Sequence, residues 1–428
     1  MSAREIFGIF FAGLLLTATA WVVTTEWQAA AEDKSSDKGY IDVNLHLLGS
    51  AAPGILPGAG QGGPGKSPGG PPQGGMRPGR PGGPAGPGGP GRRPGPGGGP
   101  QGGMMGNQPG AGQQKKGGTT RENFISAGKK LLKLMDRQGV QKSVLLPPPR
   151  TSQNMDPVEV PALAELARMY PDRFVLCAGG DVLNPIIHDT KPSEVTDEVR
   201  AKFETEAEKL IGMGIKCFGE IAALHVSFSS AHVYEETPPD HPLFLLLADI
   251  AARHDIPIDF HMEAVLEDVE TPRGLTIISS NNPKTMKANI AGFERLLAHN
   301  RNARILWRHA GWDNTGDKTP ELIGRLLAAH PNLYIALRVE ERTRDAAGAP
   351  MPNRVVNDNW RIRPEWMELF NSFPDRFTIG SDEFITIEGD ATQMPQSFEE
   401  TWRIMDQLPP DLAVKIGREN AVRIYNLQ

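Results

Sequence analysis

Asn44, His46, Glu220, His261, His309 and Asp382 are the side chains of this sequence whose types and spacing could hold a divalent cation and move a proton. Imidazole nitrogens with carboxylate and amide oxygens suit Zn²⁺ first, with Mn²⁺ or Fe²⁺ as alternatives, and a cation so held makes water acidic enough to attack a carbonyl. Each residue alone has a plainer explanation. A histidine at a strand end commonly makes one structural hydrogen bond, and an aspartate there caps the next helix. What sets these six apart is that each falls at the end of a segment that reads as a strand, where apolar residues or glycine would serve packing as well.

Strands are expected near 40–47, 142–147, 173–180, 215–221, 256–261, 303–309, 332–338 and 376–381. Helical periodicity covers about 121–139, 157–170, 194–213, 240–254, 285–299, 319–330 and 363–372, then 395–407 and 410–426. Alternating strands and helices require a parallel sheet, and eight such units point to a closed α/β fold, the (β/α)8 TIM barrel, whose chemistry sits at the C-terminal strand ends. Strict alternation along a strand puts Asp42, Asn44 and His46 on one face, Glu220 with Lys216 and Phe218, and His309 with Ile305 and Trp307. On that register Glu220 could pair with Lys216 or an arginine. Gly212 or Gly214 closes one helix, and His254, His299 and His330 fall where a cation suits the negative helix terminus, a structural role. Arg308, Arg338, Arg342, Arg344 and Arg354 offer bidentate contacts to a substrate carboxylate, Arg338 and Arg342 foremost, although loop arginines also serve solubility. The loops at 262–284 and 339–362 are expected to shape the pocket.

The stretch Ile41-Asp42-Val43-Asn44-Leu45-His46 resembles the first-strand motif of the amidohydrolase-related family, in which Asp is followed by His-x-His. Phe260-His261 is similar to that family's fifth-strand ligand, Trp307-Arg308-His309-Ala310-Gly311 to its sixth-strand segment, and Gly380-Ser381-Asp382 to its eighth-strand Asp. Gly417-Arg418-Glu419-Asn420-Ala421 with Ile424-Tyr425 resembles its closing segment. The likeness spans about residues 40 to 428 apart from one insertion. It implies a metal-dependent hydrolase of amides, lactones or esters, and the arginines of the strand-7 loop favour a small acidic substrate. His46, His261 and Asp382 would hold the ion, Asp382 would take the proton of the attacking water, and His309 would stabilise the oxyanion or protonate the leaving group. Glu220 resembles a fourth-strand Glu that ligates metal in related barrels, a likeness that implies room for a second ion. Asn44 departs from the pattern, because it stands where the family has its first His, and an amide oxygen is the weaker ligand. Two rivals remain open: non-oxidative decarboxylation of an aromatic or unsaturated acid on nearly the same ligands, and a non-catalytic barrel tethered to a surface polymer.

Three segments lie outside this pattern. Arg4, the apolar run Ile6 to Val23 and Ala29-Ala30-Ala31 read as a signal peptide over 1–31, which implies export, with a membrane anchor as the alternative. Residues 49–118 form a Gly/Pro-rich insertion in the first βα loop that is expected to be disordered, leaving 32–428 as the barrel domain. The insertion has no acidic or aromatic residue but carries Lys66, Arg77, Arg80, Arg92, Arg93, Lys115 and Lys116, so it is a solvated spacer or a weak contact for an anionic surface. Lacking rings for bases to stack on, in a chain of net charge −6, it argues against nucleic acid as a partner. A small molecule is the expected partner, and a homo-oligomer is compatible with the sequence. The two cysteines, Cys177 and Cys217, are read as packing residues, although an exported protein could oxidise them.

Overall fold

The computed structural model describes residues 39–49, 120–339, 342–386 and 403–427. Eight strands follow in order: β1 (Tyr40–Leu47), β2 (Val140–Leu145), β3 (Phe174–Gly179), β4 (Cys217–His225), β5 (Ile258–Met262), β6 (Ile305–Ala310), β7 (Leu333–Leu337) and β8 (Phe377–Ile379). Each pairs in parallel with the next, and β8 returns to β1 through the Asp42–Ile379 register, which closes the barrel. A further short strand, β9 (Glu383–Ile385), pairs in parallel with the C-terminal end of β1.

Helices pack around the strands: α1 (Arg121–Gln138), α2 (Glu159–Met169), α3 (Leu183–Asp189), α4 (Asp197–Gly212), α5 (Pro242–Arg253), α6 (Arg273–Ile278), α7 (Ile290–His299), α8 (Pro320–Ala329), α9 (Pro364–Ser372), α10 (Pro410–Val414) and α11 (Asn420–Ile424). Their starts follow local chemistry. Thr120, Thr196 and Thr319 each accept a hydrogen bond from a backbone amide in the first turn, satisfying one of the orphan donors of a helix start. Gly139 ends α1 at φ 68°, a left-handed position that glycine adopts without penalty.

Alternation in the strands builds two cores. Outward residues such as Tyr40, Leu45, Phe218, Phe260, Trp307 and Ile335 pack beneath the helices, each large side chain contributing about 1.5–3 kcal/mol by leaving water. Ile41, Val43, Val144, Val175, Leu306 and Tyr334 fill the barrel itself. Ala421, Ile424, Tyr425 and Leu427 join this inner cluster, so the C-terminal helix plugs the end of the barrel away from the strand C-termini. Tyr425 donates to Asp259 at 2.8 Å, and Asp259 pairs with the fully buried Arg308.

Several expectations change. Cys177 and Cys217 are register partners on β3 and β4, 4.7 Å apart at Cα, and form a disulfide rather than merely packing, because parallel neighbours in register bring side chains of the same parity together. The expected helix at 285–299 begins only at Ile290, since Thr285–Met286 pairs with Val269–Glu270 as a small hairpin. Within the expected helix at 395–407, residues 403–405 are helical and the rest lies outside the described residues. The 1–31 leader and all of the 49–118 insertion except Gly49 lie outside them too. Among the described residues no helix is long and apolar enough to cross a membrane.

Candidate metal centre

The pairing of β1 with β2 shifts register between Asp42 and Leu45. Beyond the shift, Asn44 and His46 turn to the barrel mouth while Leu45 and Leu47 pack outward. Asp42 does not join them, contrary to strict alternation. Its carboxylate accepts from the Ser381 hydroxyl, from the Ser381 amide at 2.9 Å and from the Asn44 amide at 3.1 Å, fastening β1 to the chain after β8. Burial raises the Asp42 carboxyl to about 6 even against those donors.

Two more alternations break where chemistry gathers. Ile305 and Trp307 face the helices, but His309 faces the mouth, because its backbone is left-handed at φ 61° and the β6–β7 register slips beside it. Glu220 does not meet Lys216, which is exposed; a register shift of β4 on β5 between Phe218 and Ile221 turns the carboxylate inward to three histidines. Asp382 is also left-handed, at φ 55°. Such non-glycine residues cost about 1–3 kcal/mol each and collect where a site over-determines the backbone.

The six residues singled out from the sequence converge. His46 Nε2 lies 3.3 Å from Glu220 Oε2 and 3.2 Å from Asp382 Oδ1, while His46 Nδ1 donates to the Leu146 carbonyl at 3.0 Å. Glu220 Oε1 lies 2.6 Å from His261 Nδ1 and 3.9 Å from His309 Nε2. Asn44 Nδ2 lies 2.9 Å from His309 Nε2 and 3.2 Å from Asp382 Oδ1, and Asn44 Oδ1 is buried with no partner among the described residues. Two triads could each hold a metal ion, His46–Glu220–Asp382 and Glu220–His261–His309, with Glu220 common to both.

The electrostatics describe a centre short of positive charge. Burial would lower His46 and His261, but the hydrogen bonds they donate to the carboxylates override it and raise both to about 9. Burial would raise Glu220 and Asp382, yet the imidazoles, and Arg338 for Asp382, hold both well below the usual carboxylate range. His309 goes the other way, its burial dominating and taking it down to about 4.

Around this centre opens a cavity of about 550 Å³. Its walls come from the segments after β2 and β4, including Pro148, Met155, Phe228 and His232; Glu263 is the sole contributor from 262–284, and 339–362 contributes nothing among the described residues. Those two loops, expected to shape the pocket, fold onto themselves instead, through the 269–270 hairpin and the bridges Arg344–Pro350 and Val356–Ile362. Arg338 lines the cavity, paired with Asp382 and stacked 3.2 Å from the Trp312 ring centre. Arg342 lies 5.7 Å from the same ring, outside the lining. Arg308 is inside the barrel, Arg354 pairs with Asp358, and Arg344 bonds its own loop at Gly348. His254, His299 and His330 stay away from the site, beside Glu208, Asp249 and Glu294.

Sequence reasoning missed His225, His232, Trp312 and Glu263, all in the lining. His225 meets His261 edge to face, ring centres 4.4 Å apart, and burial lowers both His225 and His232 to about 3. Burial would raise Glu263, but His261 and Lys318 bring it down to about 2. Glu263 was findable, since it repeats the parity of His261 one step beyond the strand. His225 was not, because β4 runs four residues further than its apolar pattern suggested, to His225 rather than 221.

The sequence matches the family model described as Amidohydrolase over residues 197–427. No curated protein matches it. Among solved structures it is similar to a 4-oxalomesaconate hydratase from Rhodopseudomonas palustris, at 14% identity over 70% of this chain and 80% of that one, with a TM-score of 0.39. An organophosphorus hydrolase from Deinococcus radiodurans is similar at 12% identity over 70% of this chain and 82% of that one, also at 0.39.

Proposed function

The chain belongs to the amidohydrolase family, and on that premise we propose that it is a metal-dependent hydrolase cleaving an amide, lactone or ester bond of a small acidic molecule. One observation carries this reading. His46 Nδ1 donates to Leu146, which turns Nε2 to two carboxylate oxygens at 3.2 and 3.3 Å. Without a metal a proton on that ring, held up to about 9, balances their charge; a divalent cation would displace it and take the three atoms as ligands.

His46, Glu220 and Asp382 would hold one ion, and Glu220, His261 and His309 a second; nitrogen and oxygen donors suit zinc, with manganese or iron as alternatives. A bound divalent cation polarises the scissile carbonyl and makes the attacking water acidic. Asp382 is the base in this account. Arg338 and Asn44 fix its carboxylate, which leaves Oδ1 turned towards His46 and able to take the water's proton. Asn44 serves as an orienting partner, or as a weak ligand if its amide is turned over, which the unpartnered Oδ1 would favour. With one ion bound at His46, Glu220 and Asp382, His309 is free of metal and stabilises the oxyanion or serves the leaving group; with a second ion bound it is a ligand instead. Arg338, and Arg342 behind it, receive a substrate carboxylate.

The same reading makes this an exported protein, with the apolar run to Val23 as its leader, and the disulfide between Cys177 and Cys217 suits an oxidising compartment. The basic Gly/Pro segment would contact an anionic surface at most weakly.

Non-oxidative decarboxylation is the second reading, favoured by the flat wall that Phe228 and Trp312 make at 5.5 Å with Arg338 over it, a fit for a planar acid. The test strips the purified chain with a chelator, reloads it with zinc or manganese, and assays lactones, amides, esters and aromatic acids by mass spectrometry. Metal-dependent hydrolysis that Asp382→Asn abolishes supports the proposal. Carbon dioxide without hydrolysis products would replace it with decarboxylation, and no metal-dependent turnover would remove both.

A further inference from the structure

The segment after β2 is fastened to the metal centre at two points. The Leu146 carbonyl accepts from His46 Nδ1 at 3.0 Å, and the Pro147 carbonyl accepts from the Glu220 amide at 3.2 Å. Pro148 and Pro149 follow, with no amide proton to offer, and both line the cavity. From there to α2 the chain is a tied arch. The Arg150 amide donates to the Gly180 carbonyl at 2.8 Å, and its guanidinium donates to the buried Glu159 carboxylate at 2.8 and 3.1 Å. Thr151 N donates to Asn154 Oδ1 at 2.7 Å, and Val158 N to Asp156 Oδ1 at 3.0 Å. Arg150, Asn154 and Asp156 thus bond within the arch, while Met155 and Val158 lie in the cavity wall beside them.

Leu48 and Phe384 continue this apolar wall from the ends of β1 and β9, and the Phe384 ring stacks 4.5 Å from that of His46. One part of the wall is therefore in contact with the metal centre. Another part, Met155, is 47% exposed on a loop whose hydrogen bonds hold it in place, so apolar surface is left facing water. The cavity, at about 550 Å³, falls in the range of sites that enclose ligands much larger than a simple short acid.

We propose that the loop after β2, with Leu48 and Phe384, is a subsite for an unbranched alkyl chain carried by the substrate's acyl group. The inference rests on reading this cavity as the hydrolase site, and it gives the substrate two ends, an acidic group for Arg338 and an apolar chain for the wall. A chain fits better than a ring here. Methionine, valine, leucine and proline offer flexible or rounded apolar surface, whereas the flat face that a ring would use is the Phe228 and Trp312 stack elsewhere in the lining.

Acetate, butyrate, hexanoate and octanoate share a carboxylate, differ only in the chain, and cannot be hydrolysed. Their binding to the full chain is measured by calorimetry with and without zinc, and zinc content is determined on the same samples. Each added methylene tightens binding by ~3-fold at one site per chain, because it leaves water for the wall. Zinc changes the affinity for acetate but not that gradient. In Met155→Gln, at an exposed position, octanoate binds ~10-fold more weakly while acetate binding and zinc content hold. Val158→Asn, at a helix start that suits asparagine, also weakens octanoate, and it replaces Met155→Gln if that variant does not fold. Octanoate bound no more tightly than acetate, binding of neither, or an octanoate affinity kept in both variants overturns the proposal. Octanoate bound at many equivalent places per chain overturns it too, by making the gradient a property of the general surface. A wild-type chain that takes up no zinc yet keeps the gradient is a different failure, that of the hydrolase reading, and leaves the alkyl subsite standing.

Discussion

Asn44 Nδ2 lies 2.9 Å from His309 Nε2, joining the first strand of the barrel to the sixth across the mouth. The same amide reaches Asp382 Oδ1 at 3.2 Å. If Asn44 orients these two groups, Asn44→Ala keeps the metal but lowers kcat by about 10–100-fold, the usual loss on removing an orienting partner. Elemental analysis beside steady-state kinetics checks this; a variant that loses its metal at unchanged protein fold would instead make Asn44 a ligand.

Arg338 touches Asp382 with one edge and covers Trp312 with its face. Arg338→Ala is expected to raise KM for a carboxylate-bearing substrate by about 10–100-fold, with a smaller effect on a neutral one. Arg338→Lys does not rescue it, because an ammonium has neither the planar stacking face nor the fork. Equal losses for charged and neutral substrates would place the role of Arg338 in fixing Asp382 alone.

Glu159 gives the fold a pH dependence separate from the metal centre. Burial takes its carboxyl from 4.5 to about 7, outweighing the ion pair with Arg150. The folded chain therefore binds this proton more tightly than the unfolded one, so the stabilisation is complete below about 4.5 and fades as pH rises towards 7. Glu159→Gln flattens that fall, by on the order of 3 kcal/mol at most. Urea denaturation at both ends of the window measures it, and an unchanged slope in the variant would remove Glu159 as the cause.

Much of this architecture was legible because barrel strands end in residue types that packing does not ask for. His46, His261, His309 and Asp382 could be placed at one mouth from type and spacing alone. What could not be read was direction. His309 and Glu220 face the site only because a left-handed residue and register shifts break the two-residue period, and period is all that a sequence displays. The helix Leu183–Asp189 was hidden by Pro185, which suggests a loop but sits in the first turn, where a missing amide proton costs nothing. The loops at 262–284 and 339–362 were given the pocket on length, although their internal pairing draws them away from it.

The disulfide between Cys177 and Cys217 closes a separation of 40 residues, and both partners are fully buried. Replacing both with alanine is expected to lower stability by roughly 2–4 kcal/mol, and reductant should act on the folded chain slowly. Thiol titration of the denatured, unreduced protein decides the point. Two free thiols there, with an unchanged Tm in the double variant, would contradict the pairing.

The most direct test of the whole account is the metal content of the purified protein by elemental mass spectrometry, in the wild type and in Glu220→Gln, His261→Ala and Asp382→Ala. The account predicts near-stoichiometric zinc, manganese or iron, at up to two ions per chain, that falls in all three variants and falls furthest in Glu220→Gln, because Glu220 serves both triads. A folded wild-type chain that carries no such metal, and takes up none on reconstitution, would contradict it.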